Sequence, residues 1–460
     1  TLYSDANNIF DEQDTLEGLP SWWNSTYFDE IYHARTAYEH LHGTAPYETS
    51  HPPLGKVIMS LGIAIFGMVP FGWRVMGALA GILMLPAMYL LGKQLTKKSS
   101  FAFAAALMLA LDCQHFTQTR IATIDSYPVL FILFSWLFML RFMQRDIVRL
   151  PVKNLLPDLA LSGLFMGLGI ASKWIGVYSG AGLAVAFFWT ILRHMRMAAT
   201  SAHLLKTDKS LSDEDRKILT LRDQTTMKRV LVICLWCLLF FVAIPLAIYL
   251  LAYIPYFAYA HFDNLKDYLT AVWNAQLSMF SYHSNPGLGM DYPFYSPWYE
   301  WIFNQRPMYY ASPTYVNTPG WSYAIWCFGN PAIWSAALVG FAYTVFMWAK
   351  RHRDTLRKDG ETLHWTAADW DVTMPFLLLS ALSQFLPWVL VPRGTYIYHY
   401  FATTPFLMLS ITVLFRDITR RFPKTGKWLL GIFLGVCLVM FVAYFPYASG
   451  ALTPTWWLDF

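Results

Sequence analysis

Four short stretches hold side chains able to do chemistry. Phe28-Asp29-Glu30 sets two carboxylates side by side. His51-Pro52-Pro53-Leu54-Gly55-Lys56 sets an imidazole and an amine around a Pro-Pro step. The run Thr119 to Asp125 (TRIATID) carries Arg120 and ends on Asp125. The run Pro392 to Tyr400 (PRGTYIYHY) carries Arg393, Tyr398 and His399. Carboxylates accept protons, and a guanidinium presents a planar fork to phosphate oxygens. Such a set suits proton transfer beside a bound anion. Each stretch alone also has a plainer reading. A carboxylate pair is usually solvated, His51 before two prolines can simply shape a turn, and Arg120 with Asp125 can be a structural ion pair.

The elements that position these residues are membrane helices. Of 460 residues, 56% are hydrophobic and only 14% charged, against about 25% charged in soluble domains. Mean hydropathy is +0.36. No water-soluble surface can be built from so few charges. The apolar residues come in blocks, with 26 Gly and 25 Pro, which excludes disorder and fibres. A net charge of +5, scattered along the chain, does not point to nucleic acid. Cys234 and Cys237 form C-x-x-C inside the apolar run VLVICLWCLLF; packing explains them better than redox chemistry. The chain starts at Thr1 with no signal-peptide pattern.

A spanning helix needs about 20 mostly apolar residues. The pattern predicts ten: 72–92, 100–116, 126–142, 157–172, 174–193, 229–254, 326–349, 372–391, 396–415 and 428–447. The second and fourth are short. The stretch 57–69, stopped by Pro70, reads as an interfacial or re-entrant helix. With the start of the chain outside, the inner loops hold 26 of the 34 Lys and Arg, as the positive-inside rule requires. That orientation implies an eleventh helix upstream. The expected organisation is an outer segment 1–71, a six-span bundle 72–254, an outer aromatic-rich loop 255–325, and a four-span bundle with an outer tail, 326–460. The inner loop 194–229 reads as a solvated connector. Among the outer bases, Arg120, Lys173 and Arg393 sit where apolar helices meet the outer interface, where a plain surface charge is the weakest explanation. Outer aromatics such as those of SPWYEW suit a lid or a sugar- or peptide-binding wall, or else an interfacial belt.

Together and in this order, the motifs resemble one family, the protein O-mannosyltransferases. The likeness runs from Tyr27 to the last span. It rests on YFDEIYHARTAYEHL, on YETSHPPLGKVIMSLGIAIFG with FGWR three residues on, and on the Arg120 motif. It continues through GLFMGLGIASKWIGVY, SPWYEW, RPMYY, GNPAIW at Gly329–Trp334 and YIYHYFATTPF. The resemblance implies an all-α, polytopic C-type glycosyltransferase bundle of eleven helices, ten of them in this chain, with its site on the outer face. It implies an inverting transfer of mannose from a polyprenyl-phosphate-mannose donor to Ser or Thr hydroxyls of secreted or membrane proteins. Eukaryotic members insert a lumenal β-trefoil in the long loop. The 255–325 segment is too short for one, so a prokaryotic cell membrane and an extracytoplasmic site are expected. The acidic stretch 5–18 lies outside the shared core and lacks calcium-loop spacing.

The implied reaction assigns the residues. In this family the first-loop Asp is the base, which makes Asp29 the catalytic base. Adjacent residues on a helix point about 100° apart, so Glu30 is expected to orient the loop or hold the acceptor. The departing phosphate gains negative charge and calls for fixed cations. Arg120, which matches an important Arg of the family, is the first candidate, followed by Arg393 and Lys173. His51, Lys56, Asp125, Tyr398 and His399 are expected to line the site. No His pairs with metal-ligand spacing, and no metal or cofactor is expected. The alternatives are a lipid-linked glycosyltransferase of the same fold with another sugar or a lipid or glycan acceptor, and, more remotely, a secondary transporter. Against the latter, the chain shows no self-similar halves.

Overall fold

The computed structural model describes residues 26–209, 211–311, 319–358 and 371–458, with the backbone alone for 351–358. The acidic stretch 5–18 lies outside the described residues. The chain is helical throughout. Its outer start forms α1 (Glu30–His42) and α2 (Leu54–Phe66), and the first bundle holds α3 (Pro70–Thr96), α4 (Ser99–Ala110), α5 (Cys113–Arg120), α6 (Ser126–Met143), α7 (Leu156–Ser172), α8 (Ile175–Thr207), α9 (Asp213–Leu238) and α10 (Ile244–Tyr256). The long outer segment holds α11 (Leu265–His283) and the single turn α12 (Trp298–Trp301). The second bundle holds α13 (Pro331–Lys358), α14 (Thr373–Phe385), α15 (Thr404–Arg421) and α16 (Pro423–Ser449), followed by the short α17 (Thr455–Leu458).

Each of the ten expected spans overlaps helix. Among the described residues, seven helical stretches are long and apolar enough to cross a membrane: α3, α6, α8, α9 continuing through a π-turn into α10, α13, α14 with its 3-10 extension to Leu390, and α16. α4 and α7 are shorter. α15 is buried from Thr404 to Val413 and ends in basic residues. α6 is the hub, with 78% of its apolar window buried among α3, α7 and α8. α16 is peripheral at 6%. It buries only Gly426, Cys437, Ala448 and Ser449. The first three recur every eleven residues, which on a helix makes a nearly straight stripe.

Three expected spans need correction, and two connecting segments carry more regular structure than a loop. The span 100–116 is broken between α4 and α5, because Asp112 caps α5 by accepting from the His115 N–H at 3.3 Å. That carboxylate also takes the Asn330 backbone N–H at 2.8 Å and the Trp334 indole N–H at 3.1 Å. The span 326–349 begins as a strand, since β3 precedes Pro331, which starts the helix. The span 396–415 begins as a 3-10 turn, Ile397–Ala402. The connector 194–229 is mostly helix: α8 runs on to Thr207, and Ser212 caps α9, accepting from the Asp215 N–H at 3.1 Å. The loop 255–325 carries α11 and small strands.

Strand β1 (Met308–Ala311) pairs antiparallel with β3 (Ile325–Cys327). β2 (Trp321–Ser322) pairs antiparallel with β4 (Thr453–Pro454), tying the tail after α16 to the outer segment. Close helix contact uses missing side chains: a Cβ on Gly163 of α7 would meet the Phe240 carbonyl at 2.0 Å. The starts of α1, α6, α8 and α15 converge on one end of the bundle, below the outer segment.

Candidate active site

Asp29 is the N-cap of α1, and its carboxylate makes no capping bond to that helix. The residue before it, Phe28, has φ 55°. That left-handed conformation costs a side-chain-bearing residue about 1–2 kcal/mol. Packing holds it: the Phe28 ring lies 4.5 Å from Tyr310 and 5.8 Å from Tyr398. The sharp turn presents Asp29 at the mouth of the bundle, half-buried. Burial first, then the negative charges of Asp125 and Glu48, push its carboxyl up to about 7, against the pull of Lys173 and Arg393. A carboxyl balanced near neutral pH suits a general base.

The neighbouring charges come from three helix junctions. Lys173 closes α7 in extended conformation, and its amine donates to Asp125, at the start of α6, at 2.7 Å. The same amine lies 5.7 Å from the Tyr398 ring centre. Arg393 precedes Gly394 in the link between α14 and α15 and donates to the Gly394 carbonyl at 3.2 Å. Among the described residues it pairs with no carboxylate. The Gly394 N–H donates to the Leu288 carbonyl at 2.7 Å, and a Cβ there would lie 2.4 Å from the Gly289 carbonyl. Only glycine lets the two loops cross this closely. His399 accepts from the Tyr396 N–H through Nδ1 at 3.0 Å and lies 4.3 Å from both Trp388 and Tyr398. Across the crossing, Asp29 adds to burial in raising the Tyr292 phenol.

A second cluster sits under the His51 turn. The fully buried Lys56 donates to the Glu48 carboxylate and to the His51 carbonyl at 3.2 Å. His51 Nδ1 is 3.1 Å from Glu48, and the His33 ring approaches the same carboxylate at 3.9 Å. Burial pushes the Glu48 carboxyl up, but Lys56 and His51 overcome it and hold it well below the carboxylate range. His283, at the end of α11, donates to the Ser50 carbonyl at 2.8 Å and packs edge-on against His51 at 5.2 Å. Burial, with His51 and Arg393, lowers its pKa to about 3, so it is neutral at pH 7. Lys56 therefore anchors the turn and does not face the Asp29 opening.

Two expected residues turn elsewhere. Glu30 is fully buried and takes a two-pronged bond from Arg74 at 2.8 and 2.7 Å. It also accepts the Ala122 N–H at 2.8 Å, from within the Arg120 motif. It orients the loop and has no side facing an acceptor. Arg120 donates to the carbonyls of Ala448 (3.3 Å) and Ser449, at the end of α16. It does not pair with Asp125, which Lys173 holds. It is also not among the charges that act most on Asp29. Lys173, Asp125, Glu48 and Arg393 are the charges that act on Asp29; Tyr398 lies between Lys173 and the Phe28 ring, with His399 packed against it. The sequence reading missed Glu48, His33, His283, Arg74, Tyr292 and Tyr396. Glu48 had a signal, three residues before His51 in YETSH. Among the described residues, no three His, Cys, Asp or Glu side chains are placed to hold a metal ion.

Residues 64–265 match the family profile described as dolichyl-phosphate-mannose-protein mannosyltransferase, and residues 268–455 match that of the C-terminal four-transmembrane region of protein-O-mannosyltransferase. The polyprenol-phosphate-mannose–protein mannosyltransferase of Mycolicibacterium smegmatis is 24% identical over 447 residues, 87% of this chain and 78% of the relative. The enzyme of the same name from Corynebacterium glutamicum is 24% identical over 450 residues, 88% and 78% of the two chains. Among solved structures, the Saccharomyces cerevisiae protein O-mannosyltransferase Pmt1–Pmt2 complex bound to the sugar donor superposes with a TM-score of 0.72 at 12% identity, covering 98% of this chain and 89% of that one. ArnT from Cupriavidus metallidurans superposes at 0.52 with 14% identity, covering 89% and 60%. Likeness at such identities is a likeness of fold.

Proposed function

The chain belongs to the dolichyl-phosphate-mannose-protein mannosyltransferase family, its two halves each matching one family profile, and on that premise we propose that it moves mannose from a polyprenyl-phosphate-mannose donor to Ser or Thr hydroxyls of exported proteins. The site lies on the extracytoplasmic face of a prokaryotic cell membrane. The observation that carries the reading is the Asp29 carboxyl, poised near 7 and flanked by Lys173 and Arg393.

The acceptor hydroxyl is a weak nucleophile. As it attacks the anomeric carbon, Asp29 takes its proton. The bond from that carbon to the phosphate oxygen breaks, and the phosphate leaves on the polyprenol with one more negative charge. Lys173 and Arg393 meet that charge more strongly in the transition state than in the donor, which is what lowers the barrier. They rank ahead of Arg120, whose guanidinium grips α16. Among the described residues Asp125 and Glu48 are each held by a lysine, which favours Asp29 as the base over a second carboxylate acting as nucleophile. The sugar is therefore inverted. Glu30 positions Asp29 through Arg74 and Ala122.

The test is transfer from polyprenyl-phosphate-mannose to a Ser/Thr peptide by the purified Asp29→Asn variant. The amide keeps the shape and cannot take the proton, so turnover should fall about 10²–10⁴-fold. A variant that keeps more than about a tenth of wild-type turnover excludes Asp29 as the base.

A further inference from the structure

At the far ends of the helices that build the site lies a second charged feature. α3, α6 and α15 end around a cleft of about 830 Å³. Six bases line it: Lys97, Arg141, Arg145, Arg149, Arg416 and Arg420. Carboxylates are fewer. Asp158 takes Arg141 at 3.0 Å and Arg145 at 2.6 Å. Asp146 takes Arg222 at 2.7 Å and Arg149 at 3.7 Å. Asp417 takes Arg416 at 2.8 Å and Arg420 at 3.5 Å. Six guanidinium groups thus share three carboxylates. With Lys97 and the lining Asp371 counted, the excess among the described residues is three positive charges.

Two ordinary explanations fall short. Three helix C-termini bring roughly half a negative charge each, which leaves more than one positive charge uncompensated. The positive-inside rule accounts for bases in inner loops, but not for their convergence on one concave wall. Lys97 is turned toward that wall by a left-handed backbone, φ 58°. Its amine donates to Gln144 at 3.2 Å, and partial burial lowers its pKa. An exposed ammonium beside a shared set of guanidinium forks offers donors to phosphate oxygens.

We propose that this cleft binds the phosphate headgroup of an anionic membrane lipid. The placement favours a lipid over a soluble phosphate: the cleft opens where two membrane-spanning helices, α3 and α6, end beside α15, and Leu95, Leu150 and Val372 add an apolar wall. Basic pockets between membrane helices take anionic headgroups in this way.

The test uses the whole protein in nanodiscs of phosphatidylcholine alone or with added phosphatidylglycerol. A ligand that binds only the folded state raises its melting temperature. Phosphatidylglycerol should raise the wild-type Tm and appear as bound lipid in native mass spectrometry. Arg149→Gln with Arg420→Gln should lose at least half of that rise. Both side chains are more than half exposed, so the Tm in phosphatidylcholine should hold. Lys97→Gln, which breaks no ion pair, should act in the same direction. A control, Arg216→Gln with Lys217→Gln on the exposed start of α9, removes equal charge outside the cleft and should keep the full rise. Equal loss in both double variants, or no rise in wild type, overturns the site. Soluble glycerol phosphate that reproduces the rise in phosphatidylcholine overturns the lipid assignment.

Discussion

At the scale of single residues, the site turns on one carboxyl held between opposing charges. Burial, Asp125 and Glu48 push Asp29 up, while Lys173 and Arg393 pull it down to about 7. A base at Asp29 would work only when ionised, so on the proposed mechanism kcat/KM should rise with pH along a limb centred near 7, measured with a neutral acceptor peptide. Lys173→Met removes a cation and leaves Asp125 unpaired. It should move that limb to higher pH as well as lower the plateau; a limb that stays put means another group is being titrated. The same shift has a cost in stability. In the unfolded chain an Asp titrates near 3.8, and in the fold near 7. A raised native pKa favours folding most below about pH 4, and that share is lost as pH rises to about 7. Asp29→Asn escapes this loss. Its apo Tm advantage should grow from about pH 4 to about pH 7 and then level off; an advantage that is flat with pH contradicts the shifted carboxyl. The sequence made Asp29, Lys173 and Arg393 legible because bases at an outer interface need a reason and the D-E motif resembles a family signature. It could not show that Glu30 is consumed by Arg74, because a partner 44 positions away leaves no mark in local spacing.

At the scale of elements, several motifs that looked chemical are joints. GNPAIW is one: Asn330 and Trp334 bond Asp112, so the start of α13 is fastened to the break between α4 and α5. The Arg120 motif is another. Its Ala122 N–H holds Glu30, and its guanidinium holds the end of α16. Hydrogen bonds from a charged group contribute about 1.5–3 kcal/mol each. Arg120→Ala should therefore lower the Tm in detergent clearly, whereas Arg393→Ala should melt nearly as wild type and lose turnover. Equal melting of the two, with equal loss of turnover, returns Arg120 to the phosphate. Helix existence was legible from apolar length. Helix breaks were not, because a buried Asp within an apolar run reads as continuous until its long-range donors are known. Strands β1 to β4 were hidden for a related reason: two to four residues of Tyr, Trp and Ile cannot be told from an aromatic belt.

At the scale of the whole molecule, charge placement and architecture point the same way. The cations nearest Asp29 and the basic far-side cleft lie at opposite ends of α3, α6 and α15. Cysteine at Lys217 should resist an impermeant thiol reagent on intact cells, and cysteine at Tyr259 should react; the reverse labelling inverts the topology. The basic residues segregate unequally enough to predict an orientation from sequence. The depth of each helix in the bundle was not, since α6 and α16 are both apolar in sequence and differ only in what surrounds them. α16 carries its own consequence. It meets the body along a line: Gly426 against Thr419, the Cys437 carbonyl on Asn330, the Ala448 carbonyl on Arg120. A helix seated on a line can rock about it while its three fastenings persist. Bilayers of different thickness ask such helices to change tilt. As the least buried of the apolar stretches, α16 should tilt in a thinner or thicker bilayer before Asp29, Lys173 and Arg393 change their spacing.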